Sequence, residues 1–223
     1  MAEGFKLRIC FRKSGRLRFL SHLETGRAWE RAARRAGLPY AVSQGFTPRM
    51  RIAFGPALPV GTAGEREYLD IVLKRFIPVA EVTEVLRASV VPELGLVTCG
   101  YVPPAEGSLA SRLTIAVYEV EIEGGSPQQE IERSLNALVG TGRLSVEHKG
   151  KHKVFELAKA LPKKPEVRSQ EGRTIVRMWV RMGEQGSLRP EVFIAAAVGP
   201  DRVVSVTRTD LLIEDQQSWR RPL

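Results

Sequence analysis

The order in which strand and helix patterns follow one another predicts an α+β fold for this chain. Three observations carry the expectation: period-two hydrophobic alternation at residues 5–12 and 68–74, helical spacing at 21–36 and 79–90, and a Pro/Gly/Ser break at 103–108 after which a similar rhythm resumes. A chain of 223 residues, 43% of them hydrophobic and 26% charged, can bury a core as one large domain or two small ones.

Phe5, Leu7, Ile9 and Phe11 point one way from a first strand, and Lys6, Arg8, Cys10 and Arg12 the other. Ser14-Gly15 marks a turn. Ser21 and Glu24 have capping-box spacing, so a helix should start there and run to about Ala36, where Gly37 and Pro39 stop it. At 100° per residue, Gly26, Trp29, Ala32, Ala33 and Ala36 share one face, and Arg27, Arg31, Arg34 and Arg35 share the opposite face. Residues 43–61 are dense in Gly and Pro and read as loop, with a short strand near Arg51–Phe54. Tyr68–Lys74 alternates with Leu69, Ile71 and Leu73 inward. Pro78 opens a helix that carries Val79, Val82, Leu86 and Val90, and Gly95–Val102 supplies a further strand. The resulting order, β-α-β-β-α-β, is the split βαβ of ferredoxin-like domains.

A domain boundary is expected after residue 104, with 105–111 as linker and 112–223 as a second domain. There Leu113–Glu123 reads as strand, Ser126-Pro127 as the start of a helix to Val139, and Arg143–Glu147 as strand. Residues 148–172 are lysine-rich and irregular, ending in a turn at Gln170-Glu171-Gly172. Arg173–Met182 is a strand, Arg189-Pro190 starts a helix to Val198, and Arg202–Ile213 is the last strand. The expectation is therefore two ferredoxin-like units in tandem, the second a variant, related by element order alone.

Charge points to a partner. Residues 1–51 hold twelve basic side chains against three acids, a surplus that equals the net charge of +9 of the whole chain. Ten of the twelve are arginine, which suits bidentate phosphate contacts. The expected RNA-binding residues are Lys6, Arg8, Arg12, Arg16, Arg18, Arg27, Arg31, Arg34, Arg49 and Arg51, with Gln44 and Phe46 from the Gly/Pro loop. Phe46 and Tyr68 are the candidate aromatic side chains for stacking on bases, with ordinary packing as the alternative reading of each. No RNA-recognition-motif consensus, zinc finger or KH-type loop occurs, and neither does a P-loop or a dinucleotide fingerprint.

Signals for a reaction are sparse. His22, in the first turn of the first helix, has three readings: a general base beside a phosphate groove, a ligand, or a packed histidine near a helix start. His148 and His152 stand four apart, but Lys149, Lys151 and Lys153 interleave them and repel a cation. Cys10 lies between Arg8 and Arg12, which favour a thiolate; it reads as an ordinary half-exposed cysteine ahead of a reactive one, while Cys99 reads as core. Two cysteines are too few for a disulfide framework or a self-contained iron–sulfur cluster. Glu65, Glu67 and Asp70 read as partners for the arginine cluster across the sheet, ahead of a cation site. Ser187 is a candidate cap for the helix at Pro190, whose amides could hold an anion. No metal or cofactor is expected. With no apolar run of bilayer length and no signal pattern at the N-terminus, the expected location is cytoplasmic.

Four stretches together resemble the radical-SAM-linked protein family: Arg18-Phe19-Leu20-Ser21-His22-Leu23-Glu24, Arg35-Ala36-Gly37-Leu38-Pro39, residues 43–52 from Ser43 to Ile52, and Glu67-Tyr68-Leu69-Asp70. Gly186-Ser187-Leu188-Arg189-Pro190-Glu191 is similar to a further family segment. Glu24 stands where the family pattern has Asp, and Thr47 where it has Asn; neither alters the charge logic. The resemblance implies a role beside a radical SAM protein and supplies no catalytic residue, and the three-cysteine motif of radical SAM enzymes does not occur here. The leading expectation is a non-catalytic module that binds tRNA or ribosomal RNA for a radical SAM partner. The alternatives are an RNA endonuclease or modifying enzyme using His22, and a protein–protein adaptor for that partner.

Overall fold

The computed structural model describes residues 4–123, 127–148, 150–170, 172–183, 186–215 and 218–223. Ser126 and Glu171, expected at a helix start and a turn, and Lys149 lie outside the described residues. The chain divides into two units, Met1–Leu113 with Arg221–Leu223, and Thr114–Arg220. The α+β class is as the sequence predicts, with sheets whose paired strands run antiparallel.

In the first unit the elements are β1 (Phe5–Lys13), α1 (His22–Arg35), β2 (Ile52–Phe54), β3 (Ala63–Leu73), α2 (Val79–Ser89), β4 (Leu96–Val102) and a short α3 (Leu109–Arg112). Neighbours across the sheet run β4-β1-β3-β2. The inward residues of β1, Leu7, Ile9 and Phe11, pack with Leu69, Ile71 and Leu73 of β3 against Trp29, Ala32 and Ala33 of α1 and Val82 and Leu86 of α2. The Phe11 and Trp29 rings lie 5.0 Å apart.

The polar face of β1 is covered in its middle, although Arg8 stands among the residues expected to contact RNA. Arg8 is 0% exposed. It sits opposite Asp70 in the β1–β3 register and grips that carboxylate with two bonds, Nε to Oδ1 at 2.8 Å and Nη2 to Oδ2 at 3.0 Å. Its Nη1 donates to Glu106 Oε1 and to the Pro222 carbonyl, each at 3.2 Å. Glu106 also pairs with Arg112, and its backbone carbonyl accepts from Lys6 Nζ at 2.6 Å. Gly100, opposite Arg8 on β4, leaves room for the returning chain: a Cβ there would meet Leu223 at 3.2 Å. Residues 105–111, expected as linker, thus carry a partner of the central ion cluster and a helical turn with Leu109 buried. Arg8 leaves the set of RNA contacts because its charge is spent inside the fold. Cys10 and Tyr68 are also buried, so neither a reactive thiol nor a stacking ring is presented on this strand pair.

The second unit runs β5 (Ile115–Ile122), α4 (Gln128–Gly140), β6 (Arg143–His148), β7 (Lys151–Glu156), α5 (Leu157–Ala160), β8 (Glu166–Gln170), β9 (Arg173–Arg181), α6 (Pro190–Val198), β10 (Val203–Asp215) and β11 (Ser218–Arg220). Its sheet order is β10-β5-β9-β8, with β11 on β10. Ile131 and Leu135 of α4, and Phe193 and Ile194 of α6, supply buried apolar side chains. Here the sequence expectation needs correction. Residues 143–148 are not part of that sheet; they form a separate hairpin with 151–156. The edge strand is β8, from the segment expected to be irregular. Its polar composition fits an edge, where charge discourages further pairing, and Arg168 bonds Glu119 at 2.8 Å.

Arg8→Ala should destabilise the protein by about 3–5 kcal/mol in urea unfolding, since it strands Asp70 as an unpaired buried charge. Pairing Arg8→Met with Asp70→Leu should restore most of that loss, because the buried charge leaves with its partner.

Candidate nucleic-acid interface

A capping box sets the start of α1 and with it the position of His22. The Ser21 hydroxyl accepts from the Glu24 amide at 3.3 Å, and the Ser21 amide donates to Glu24 Oε2 at 2.8 Å. That backbone bond, then the Ser21 side chain, then Arg27 and Lys13, hold the Glu24 carboxyl below its ordinary range, against a small desolvation cost. Lys13, buried at the end of β1, donates to the Leu20 carbonyl at 2.6 Å and fixes the turn leading into the helix.

His22 is exposed, with its ring edge-on to Phe54 at 5.4 Å. It borders two hollows. One is a small, mostly apolar hollow of about 20 Å³ with Phe11, Phe54 and Leu58 in its wall beside Lys13, Thr25, Glu67 and Tyr68, roomy enough for one water. The other is an open groove of about 430 Å³ between α1 and the loop that precedes β2. Arg27, Glu30 and Arg34 line its helix side, Pro48 and Arg49 its loop side, and Gly26 and Phe54 its floor. Phe54 lies 3.6 Å from where a Gly26 Cβ would stand, so the missing side chain keeps the floor low. Glu30 meets Arg34 at 3.5 Å, which leaves the groove three guanidinium groups against one carboxylate.

The loop itself has a fixed base. Val42 bridges Met50, the Ser43 amide donates to the Arg49 carbonyl at 2.8 Å, and the Arg49 amide donates to the Ser43 hydroxyl at 3.1 Å. Gln44 and Phe46 project from the tip, both exposed.

Of the residues expected to contact RNA, the structure therefore gathers Arg27, Arg34 and Arg49. Arg31 and Arg51 are exposed but do not line the groove, and Arg12 and Arg16 are exposed near β1 and the turn after it. Arg18 is half-buried, its guanidinium 4.9 Å from the centre of the Phe19 ring. Lys6 is half-buried and bonded to Glu106. The arginine stripe expected along α1 divides, because Arg35 donates to the Ser89 carbonyl at 2.7 Å beside α2 while Arg27 and Arg34 face the loop. Of the acids expected to pair across the sheet, Asp70 holds Arg8 and Glu67 is buried. Sequence reasoning missed Glu106, whose signal, an acid inside a Pro/Gly segment, was indistinct from linker composition.

The remaining candidates resolve structurally. His148 and His152 sit on the two strands of a hairpin, not on one helix face. Among the described residues no group of three metal-ligating side chains converges. Cys99 is buried, and desolvation pushes its thiol up despite a contact to the Thr83 hydroxyl at 3.3 Å. Ser187 does not cap α6; Arg189 occupies that position with Pro190 following. No described helix is long and apolar enough to cross a membrane.

The chain belongs to DUF2344, a family described as an uncharacterized protein conserved in bacteria, whose model matches residues 6–190. No curated protein matches the sequence. Its fold is similar to that of a chain in the crystal structure of a Cbf5-Nop10-Gar1 complex, with TM-score 0.50 and 14% identity over 97% of this chain and 52% of the other. A chain in the structure of H/ACA RNP bound to a substrate RNA containing 2'-deoxyuridine aligns at TM-score 0.45 and 11% identity, covering 94% and 48%. This chain thus spans about half the length of those it matches, and identities this low speak to fold alone.

In an NMR titration, Glu24 should ionise below the ordinary glutamate range, and Ser21→Ala should move its midpoint back up. A depressed folded pKa means that the carboxyl's stabilising contribution is present above the unfolded value and is lost as pH falls through the folded one. Gly26→Ala fits without a clash and removes a mid-helix glycine, so it should raise stability by about 0.5–1 kcal/mol in thermal unfolding.

Proposed function

We propose that this protein is a non-catalytic RNA-binding module, handling tRNA or ribosomal RNA together with a radical SAM enzyme. The observation that carries the RNA reading is the groove between α1 and the loop: Arg27, Arg34 and Arg49 line one open channel in which Glu30 is the opposing charge. Guanidinium groups spaced along a channel suit successive phosphates, and each phosphate contact releases counterions. The partner rests on the motif resemblance at residues 18–24, 35–39, 43–52 and 67–70.

A second reading, RNA cleavage or modification with His22 as general base, draws on one observation: the imidazole borders both the groove and a small hollow whose wall holds Lys13, Glu67 and Tyr68.

For RNA binding, affinity measured by fluorescence anisotropy should fall with salt at a log–log slope of about −2, corresponding to about three phosphate contacts on a single strand. Arg27→Gln or Arg49→Gln should each flatten that slope by about 0.7 and weaken binding. His22→Ala should leave affinity nearly unchanged, and the RNA should stay intact with either protein; cleavage by wild type that His22→Ala abolishes would favour the second reading. Salt-independent affinity for a protein partner with no RNA binding would make the chain an adaptor and overturn both.

A further inference from the structure

The loop tip holds a side chain that the groove does not use. Phe46 is 110% exposed, as open to solvent as a side chain can be, so it gains nothing from burial within the fold. The loop that carries it is closed at its base by the Val42–Met50 bridge and by both bonds between Ser43 and Arg49, so the tip stands at a set place beside the groove. Gly45 beside it adopts φ of 153°, which favours glycine and sets the tip's turn, and Pro48 stiffens the descending side. The ring is thus held out on a short arch whose far leg, Arg49, stands in the basic groove.

Three chemistries meet on this arch. Phe46 offers a flat π-face. Gln44, two residues away, offers an amide that both donates and accepts, as base edges do. Arg49 offers a guanidinium for the adjoining phosphate. A π-face, an amide and a guanidinium within six residues suit a single nucleotide whose base has left its stack. An intact A-form duplex does not fit, since its base faces are already stacked and its deep major groove is too narrow for side chains to read.

We propose that Phe46 is the stacking platform for one unpaired base, with Gln44 at the base edge, and that the RNA bound in the groove is single-stranded at that point. The proposal rests on the RNA reading of the groove and narrows its substrate class to single-stranded segments, loops or bulges.

The test measures binding of the full chain to a fluorescein-labelled, mixed-sequence single-stranded RNA of about 12 nucleotides, a length typical of single-strand binding sites, and to the same strand in duplex. Wild type should bind the single strand at least about 10-fold more tightly than the duplex. Phe46→Ala should weaken single-strand binding by about 5- to 100-fold, the range for loss of one stacked base, and leave duplex binding unchanged. Phe46→Trp should keep the affinity and show indole quenching when the single strand is added. Because Phe46 buries nothing in the fold, Phe46→Ala should unfold at the wild-type temperature. Single-strand binding that is lost in Arg49→Glu but equal in Phe46→Ala and wild type would overturn the platform and leave the groove reading standing. Absence of binding to either RNA by wild type would overturn both.

Discussion

The first unit is organised around one buried guanidinium. Arg8 lies in the middle of β1 and bonds Asp70 on β3, Glu106 in the segment after β4, and the carbonyl of Pro222. These partners come from three distant parts of the sequence and meet at the donors of one planar guanidinium. The apolar side of the sheet would pack against α1 and α2 in any case. The charge cluster adds direction, since Glu106 and Pro222 are held where the Arg8 fork points. A buried pair of this kind contributes less to stability than its short distances suggest, because desolvation offsets the attraction. Its effect is on which arrangement forms: an alternative that leaves Arg8 unpaired in the interior is costly.

The amino-terminal arginines fall into two classes that share a composition but not a role. Arg8 and Arg35 are bonded within the fold, one to carboxylates and a carbonyl, the other to the end of α2. Arg27, Arg34 and Arg49 keep most of their charge for solvent or for a ligand, with Glu30 paired to Arg34 and Glu24 near Arg27 as partial relief. Net charge registers both classes alike. The groove is consequently less basic than twelve cations in fifty-one residues imply, and more localised.

Legibility in the sequence followed the physics of each signal. Alternation at Phe5–Arg12 and the Ser21–Glu24 box are local patterns with strong periodicity or fixed spacing, and β1 and α1 form where those patterns stand. Period two states that Arg8 points away from Leu7 and Ile9, and Asp70 reads as an arginine partner across the sheet, as it proves to be; the alternation is silent on whether a second layer covers that side, so the contacts of Arg8 to Glu106 and Pro222 were out of reach. Glu106 and Pro222 reach Arg8 through contacts nearly a hundred and more than two hundred residues apart, for which no local pattern exists. In the second unit, β8 was hidden because an edge strand such as Glu166–Gln170 needs only one apolar side and tolerates charge, which makes it resemble loop. The groove was half legible: the helical arginines and the loop arginine were each visible, but their meeting depends on how the Gly/Pro loop folds back over Gly26.

The closure of the first unit by Arg221–Leu223 has a consequence for biogenesis. Synthesis is vectorial, and residues 1–113 leave the ribosome well before residue 222 exists. Until then Arg8 has Asp70 but lacks one acceptor, and the gap over Gly100 stays unfilled. The first unit therefore reaches its finished state only after the second has been translated, so maturation of the earlier half waits on codons read after those of the later one.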